Sequence, residues 1–157
     1  MKTTLFSAII FLATSLMSFT SVAPASNMLI TLRAGTAVSL SLNEQVNADK
    51  VEIGNTVEFL VRSNVTVNGQ VLIAAGSIAE GMVKDVVKSC NKCKADGCSK
   101  LVIAVETVQA VDGQNIYLRS VPLTVSGDCC CKKKLAAVAN IGTKISARVQ
   151  NDVKINA

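Results

Sequence analysis

Apolar and polar residues alternate with a period of two along most of this chain, and this pattern constrains the fold more than any other feature. Between Thr36 and Asn43, Val38, Leu40 and Leu42 share one face. A period of two is typical of a strand with one buried face, because successive side chains point to opposite sides. Similar patterns predict strands at 57–62, 78–88, 101–110, 115–125 and 144–150.

Two turn motifs predict hairpins within this pattern. Asn68-Gly69 separates 65–67 from 70–73, and these residue types adopt the positive φ angles of a type I′ turn. Asp112-Gly113 separates the strands at 101–110 and 115–125 and is the second hairpin signal. Strands joined in this way run antiparallel.

A glycine followed by a hydroxyl residue opens several of these strands. The eight residues from Gly35-Thr36 to Leu42 are echoed by those from Gly142-Thr143 to Val149, and Gly76-Ser77 repeats the opening. Glycine lets the chain turn sharply, and the hydroxyl can bond nearby backbone groups. The match predicts that the first and last of these strands pair or lie side by side and help to close a barrel.

These signals predict an all-β fold, a small antiparallel β-barrel or sandwich with hairpins at Asn68-Gly69 and Asp112-Gly113. We expect residues 26–157 to form a single domain of this kind, since that length supports one core. The only helix that the pattern offers is a short one at 132–139.

The first 25 residues have the composition of a secretory signal peptide. Lys2 precedes an apolar run from Leu5 to Val22, which ends at Ala23-Pro24-Ala25. Serine and threonine interrupt the run and no basic cluster follows it, which favours cleavage after Ala25 over a membrane anchor. We therefore expect an exported protein, periplasmic, outer-membrane-associated or secreted, with no transmembrane span in the mature chain.

Missing residue types argue against several function classes. The chain has no histidine, which removes Ser-His and Cys-His nucleophile pairs. Phe59 and Tyr117 are the only aromatic residues after position 25, whereas single-stranded nucleic-acid sites rely on aromatic stacking. A net charge of +5 is too small to indicate nucleic acid. We expect a protein that is not an enzyme, binds no nucleic acid and needs no cofactor.

Three segments occur in a characteristic order. They are Leu32 to Thr36, then Asn68 to Ser77 followed by Gly81, and finally Leu101 to Ile103 followed by Val111-Asp112-Gly113. Together they resemble the periplasmic β-barrel domain of the type IV secretion (conjugal transfer) core-complex scaffold, and small secreted envelope proteins that carry this barrel alone. The resemblance covers roughly residues 29–126. It implies a β-barrel of the cell envelope, with other envelope proteins as partners.

The chain also departs from that scaffold. The family member has an inner-membrane helix, a proline-rich spacer and a helical pair that lines an outer-membrane pore. Here a cleavable signal replaces the membrane helix, Pro24 and Pro122 are the only prolines, and no pattern fits the helical pair. The resemblance therefore implies the fold without the channel, and it transfers no catalytic residues.

The cysteines fall into two groups that alternating strand directions bring to the same end of the sheet. An even number of cysteines in an exported chain predicts disulfides, here between the groups, since adjacent cysteines do not easily pair. The groups are Cys90, Cys93 and Cys98, and Cys129, Cys130 and Cys131.

Two other hypotheses use the same cysteines. Cys90-x-x-Cys93 and Cys98, with one cysteine of the second group, could supply four thiolates for Zn²⁺ or Cu(I). Alternatively, Cys90-x-x-Cys93 could exchange disulfides, because nearby lysines lower a thiol pKa. The βαβ context that makes this motif persuasive is absent from the pattern.

Lysines are concentrated in the same part of the chain. They predict either a solvated rim or a surface that is attracted to anionic lipid or polysaccharide of the envelope. They are Lys88, Lys92, Lys94, Lys100, Lys132, Lys133 and Lys134. The sequence thus predicts a non-catalytic structural or binding module of the envelope, with thiol-based metal binding as the alternative.

Overall fold

The computed structural model describes residues 28–89, 98–127 and 135–157, and these residues contain strands and turns but no helix. Consequently, none of the described residues belongs to a helix that could cross a membrane. The strands are β1 (Leu29–Leu32), β2 (Ala37–Leu42), β3 (Val46–Asn47), β4 (Thr56–Val61), β5 (Val65–Val67), β6 (Gln70–Ile73), β7 (Ile78–Val87), β8 (Lys100–Gln109), β9 (Asn115–Ser120), β10 (Leu123–Ser126), β11 (Val138–Ala139), β12 (Lys144–Val149) and β13 (Val153–Asn156).

Six antiparallel strands close into a barrel. Their order is β8-β7-β4-β2-β12-β9, and β9 pairs back with β8 to complete the ring. Strand β10 lies outside the ring and pairs with the first half of β8. The second half of β8 pairs with β9. Between these two pairings, the Ser120 hydroxyl accepts a hydrogen bond of 3.0 Å from the Val105 amide. The sequence prediction of an all-β barrel or sandwich is confirmed, and the fold is the barrel.

Aliphatic side chains fill the barrel from every strand of the ring. Phe59 is fully buried and is the largest residue of this core. It packs over Gly81 of the neighbouring strand, where a Cβ would lie 2.9 Å from the Phe59 ring and 2.6 Å from the Ala104 carbonyl oxygen. Gly81 is therefore required by close packing.

The long hairpin of β7 and β8 contains two β-bulges. The register shifts between Glu80 and Gly81 and again between Val83 and Asp85, which leaves Glu106 and Lys84 as the extra residues. These two side chains form an ion pair with each other. Bulges increase local twist and bend a strand, so they allow these ten-residue strands to follow the curved wall of the barrel.

The repeated glycine motif builds a reciprocal pair of turns, and β2 does pair with β12 as predicted. The Gly35 amide donates to the Val149 carbonyl at the end of β12, and the Gly142 amide donates to the Leu42 carbonyl at the end of β2, both at 2.8 Å. In each turn the threonine hydroxyl donates to the carbonyl three residues earlier. The beginning of each strand thus caps the end of its partner.

A second reciprocal pair joins β4 and β7. The Gly76 amide donates to the Val61 carbonyl at 2.8 Å, and the Gly54 amide donates to the Val83 carbonyl at 2.9 Å. The Gly76 turn was expected from the sequence, whereas the Gly54 turn was missed because Asn55 replaces the hydroxyl residue. The Asn55 side chain fulfils a similar role, accepting a 2.8 Å bond from the Glu52 amide.

Both predicted hairpins are confirmed. Asn68 and Gly69 have φ angles of 52° and 82° and connect β5 to β6. Asp112 and Gly113 lie in the loop that connects β8 to β9.

Two finer predictions are wrong. The strand expected at 115–125 is interrupted at Val121-Pro122, since proline has no amide hydrogen for the ladder. Within the helix expected at 132–139, the described residues 135–139 are extended and Val138–Ala139 form β11, which pairs with β3.

The two ends of the barrel are closed by different short ribbons. β3 and β11 cover the end at which β7 and β10 finish and β8 begins, and their buried residues include Val46 and Ala139. At the opposite end, which we call the clasp end, β1 pairs with β13 and the β5–β6 hairpin lies close by.

Asp112 fastens the clasp end. Its carboxylate accepts bonds from the Asn156 amide at 3.0 Å and from the amide and side chain of Gln114. Partial burial acts to raise the pKa of Asp112, but these hydrogen bonds outweigh it and hold the pKa below its usual value of 3.8. The carboxylate form therefore stabilises the attachment of β13.

Candidate functional site

Both cysteine-bearing segments leave and re-enter the barrel at one end, which we call the cysteine pole. The first segment starts after Ser89 and returns at Cys98, and the second starts after Gly127 and returns at Leu135. Strand pairing brings these points together, because Lys100 lies opposite Val87 on one side and Ser126 on the other. The described ends of the two segments therefore lie at one end of the barrel.

Ser99 forms hydrogen bonds to three separate chain segments at the cysteine pole. It is the only polar residue among the buried side chains of the described structure. Its hydroxyl donates to the Val87 carbonyl and accepts from the Ala137 amide, both at 2.9 Å. Its backbone carbonyl accepts from the Gly127 amide at 2.7 Å. One residue therefore joins the end of β7, the end of β10 and the chain that follows the second cysteine segment.

Gly127 is held against the return of the second segment without space for a side chain. A Cβ at this position would lie 2.3 Å from the Leu135 carbonyl oxygen and 2.9 Å from the Ala137 nitrogen. Real Cβ atoms do not approach backbone atoms so closely. The two ends of the segment 128–134 are therefore in direct contact.

Two acidic residues of the β3–β4 loop reach the same end. The Asp49 carboxylate accepts bonds from the amide and the hydroxyl of Ser89, at 2.7 and 2.6 Å. Glu52 lies 3.8 Å from the Lys88 ammonium group. The start of the first cysteine segment is therefore fixed by a carboxylate from a distant part of the chain.

Of the lysines predicted to form a binding surface, Lys88 and Lys100 lie within the described residues. Both are about half exposed and both face an acid: Lys88 faces Glu52, and Lys100 pairs with Asp85 at 3.1 Å. The five others, Lys92, Lys94, Lys132, Lys133 and Lys134, lie outside the described residues.

Cys98 is the one predicted thiol residue within the described structure. It is partly exposed, adjacent to Ser99, and has an interaction partner. Cys90, Cys93, Cys129, Cys130 and Cys131 lie outside the described residues. In the described ranges alone, no three His, Cys, Asp or Glu side chains are arranged to hold a metal ion.

Two surface depressions of the described structure each contain one ionisable side chain. One contains Glu80 as its only ionisable side chain, with Ile78, Thr107, Gln109 and Asn115. Another, beside β1 and the β5–β6 hairpin, contains Arg33 as its only ionisable side chain.

Sequence reasoning missed the residues that build the base of the pole. Ser99, Asp49 and Gly127 act through contacts with residues 12 to 40 positions away. No local pattern distinguishes them from ordinary loop residues. A serine directly after a cysteine and before a buried strand was the only available signal for Ser99.

The sequence matches no protein-family model and no curated protein. Among solved structures, the chain is similar to ComB10 of the Com type IV secretion system of Helicobacter pylori. The two share 14% sequence identity, and the match covers 79% of this chain and 89% of that chain with a TM-score of 0.47. The match is to a component of a type IV secretion system, the kind of system whose scaffold the sequence motifs resemble. It carries no statement about a ligand or a reaction.

Proposed function

We propose that this protein is an exported, non-catalytic component of the cell envelope, in which the closed barrel is a structural or binding module and the cysteine pole is stapled by disulfides. The observation that carries the proposal is the convergence of both cysteine segments on Ser99 at one end of the barrel. Because the ends of the two segments already lie close together, bringing their thiols into contact should cost little additional conformational entropy.

Disulfides between the two groups would add substantial stability. A bridge from Cys98 to the second group closes a loop of about 30 residues, and such a loop corresponds to about 4 kcal/mol on the chain-entropy model. Cys98 is not free in the structure, as a staple requires.

The described surface supports a role without catalysis. Each of the two depressions described above has a single ionisable side chain, and the chain has no histidine. The proposed partners are other envelope proteins or an anionic envelope surface that faces the lysine rim of the pole. Co-sedimentation with phosphatidylglycerol vesicles that declines as salt rises would support the anionic surface, and binding that is absent at low salt would exclude it.

The alternative function is thiol-based binding of Zn²⁺ or Cu⁺ in the periplasm. The same convergence favours it, because Cys90, Cys93 and Cys98 with one cysteine of the second group could meet as four thiolate ligands. The two functions make opposite demands on the thiols. Disulfides consume them, whereas a metal site needs them reduced.

Intact mass of the exported protein separates these functions. The full chain would be expressed in a Gram-negative host, recovered from the periplasm and alkylated without reductant. The proposal predicts a chain that starts at Ser26, is six hydrogens lighter than its reduced mass and takes up no alkyl group. Free alkylation together with mass that a chelator removes would establish the metal site instead. Retention in the cytoplasm would contradict export.

Cys98→Ser is the informative variant. In a three-disulfide pole it leaves one cysteine without a partner, so the protein should take up one alkyl group. In a four-thiolate site it should instead lower metal occupancy. Ser126→Ala, at the end of β10, is a matched control that should change neither result.

A further inference from the structure

Two pairs of opposite charges lie on neighbouring strands of the barrel wall. Lys84 pairs with Glu106 and Lys100 pairs with Asp85, each across the β7–β8 hairpin. Opposite charges across strands are stabilising, and like charges directly opposite each other are destabilising. At two places on the wall, two like charges lie directly opposite each other. One of these pairs is basic and the other is acidic.

The basic wall is the outer face of β9 and β12 at Arg119 and Arg148. These residues are direct cross-strand partners, and both are exposed. The Arg148 side chain donates to the Gly35 carbonyl oxygen, whereas the Arg119 side chain has no hydrogen bond or ion pair within the described residues. The sequences of β9, β12 and the adjoining β2 contain no acidic residue that could neutralise them.

The acidic wall is the outer face of β4 and β7 at Glu58 and Glu80. These glutamates are also direct cross-strand partners, and both are exposed. The Glu58 carboxylate accepts a long 3.4 Å bond from the Asn43 side-chain amide, and the Glu80 side chain has no hydrogen bond or ion pair within the described residues. The pair therefore lacks a basic neighbour of the kind that Asp85 and Glu106 have.

The two walls lie on opposite sides of the barrel. The ring order is β8-β7-β4-β2-β12-β9, closed by β9 on β8. From the β4–β7 junction to the β9–β12 junction, three strands are crossed in either direction. In a closed six-strand ring, two junctions separated in this way are diametrically opposed.

We infer that a second copy of this chain binds head to tail, with the basic wall at Arg119 and Arg148 facing the acidic wall at Glu58 and Glu80 of the next copy. Each doubled charge, which is unfavourable within one molecule, then meets a doubled charge of opposite sign. Carboxylate–guanidinium pairs can be bidentate and so also orient the two copies. The surfaces differ, so the contact is heterologous and leaves one of each wall free for further copies.

This association is a property of the barrel and does not rest on export or on the disulfides. Exposed ion pairs are weak and screened by salt, so the contact should be transient and salt-sensitive. The mature full-length protein at about 100 μM should sediment faster at low ionic strength than at high salt, where the Debye length falls to about 3 Å. A monomer under both conditions would overturn the inference.

Charge reversal tests which walls meet. Arg119→Glu with Arg148→Glu gives two acidic walls, and Glu58→Lys with Glu80→Lys gives two basic walls. Each double variant alone should be monomeric, and an equimolar mixture of the two should associate at least as strongly as the wild type. Failure of the mixture to associate, with circular dichroism showing both variants folded, would overturn the proposed contact.

Two further variants complete the design. The quadruple variant with both reversals should regain self-association, since each wall again meets its opposite. Lys84→Glu with Glu106→Lys exchanges an internal pair and should leave association unchanged. If the wild type is monomeric and Arg119→Glu with Arg148→Glu abolishes binding to dextran sulfate, the basic wall serves an anionic polymer and the inference is overturned.

Discussion

The two ends of this barrel use the same turns but are finished in different ways. At the clasp end the glycine turns carry Ala34 and Ala75, and at the cysteine pole the equivalent positions are Ile53 and Ile141, which are 64% and 68% exposed. The clasp end thus presents small side chains to solvent. The pole presents large apolar side chains at the same turn positions. The two ends therefore share the turn geometry and differ in the side chains that the turns expose.

The ends also satisfy their backbone differently. A charged carboxylate, Asp112, holds the last strand at the clasp end, where water is near. At the pole a buried neutral hydroxyl, Ser99, connects the strand ends, and the Asp49 carboxylate holds the exposed start of the first cysteine segment. A buried charge without a partner would be costly, whereas a hydroxyl with both partners is not. We therefore expect the connections of Ser99 to be sensitive to packing and the connections of Asp112 to be sensitive to pH.

The largest expected effect is that of Gly127→Ala at the pole. The added Cβ would overlap backbone atoms of Leu135 and Ala137, so the variant should lose about 3 kcal/mol of unfolding free energy. Urea denaturation measures this loss. Gly142→Ala is the control: it has a φ of 79° with open space around it and should lose about 1 kcal/mol. Equal losses would show that the pole is not tightly packed at Gly127.

Ser99→Ala should follow with a loss of about 2 kcal/mol, because the Val87 carbonyl and the buried Ala137 amide lose their partner. Hydrogen exchange at the Ala137 amide should accelerate in this variant. Thr143→Ala removes a hydroxyl bond in an exposed turn and should cost about 0.5 kcal/mol. If Ser99→Ala costs no more than the control, Ser99 is not the anchor of the pole.

The smallest effect concerns Asp112 at the clasp end. Because its folded pKa lies below its usual value, the carboxylate contributes stability above about pH 4, and this contribution is lost as the pH falls through the folded pKa. Asp112→Asn should lower the melting temperature near neutral pH, and this difference should shrink toward pH 3. Exchange of the Asn156 amide should also accelerate. A difference that does not depend on pH would contradict the ionic clasp.

Local patterns in the sequence were sufficient for the strands that carry the fold. Alternation located most of the long strands, and Asn68-Gly69 and Asp112-Gly113 located the hairpins, because these signals depend on neighbouring residues. The Gly35 and Gly142 motifs even predicted a pairing between strands more than one hundred residues apart. The short strands β1, β3, β11 and β13 were not predicted, since two to four residues carry too little periodicity.

The candidate site was less predictable than the fold. The sequence predicted that the two cysteine groups share an end, and this stays a prediction because five of the six cysteines lie outside the described residues. It did not indicate Ser99, Asp49 or Gly127, because their roles arise from contacts between distant segments.

By itself, the sequence determined that the chain is built of antiparallel strands with glycine turns, because strand period and turn chemistry are local properties. Only the tertiary structure decided that β9 pairs with β12 to complete the ring and that Arg119 faces Arg148 while Glu58 faces Glu80. Cross-strand register depends on how all six strands pack at once, and shifting it by one residue would move every side chain to the other face. No single segment of the sequence contains that information.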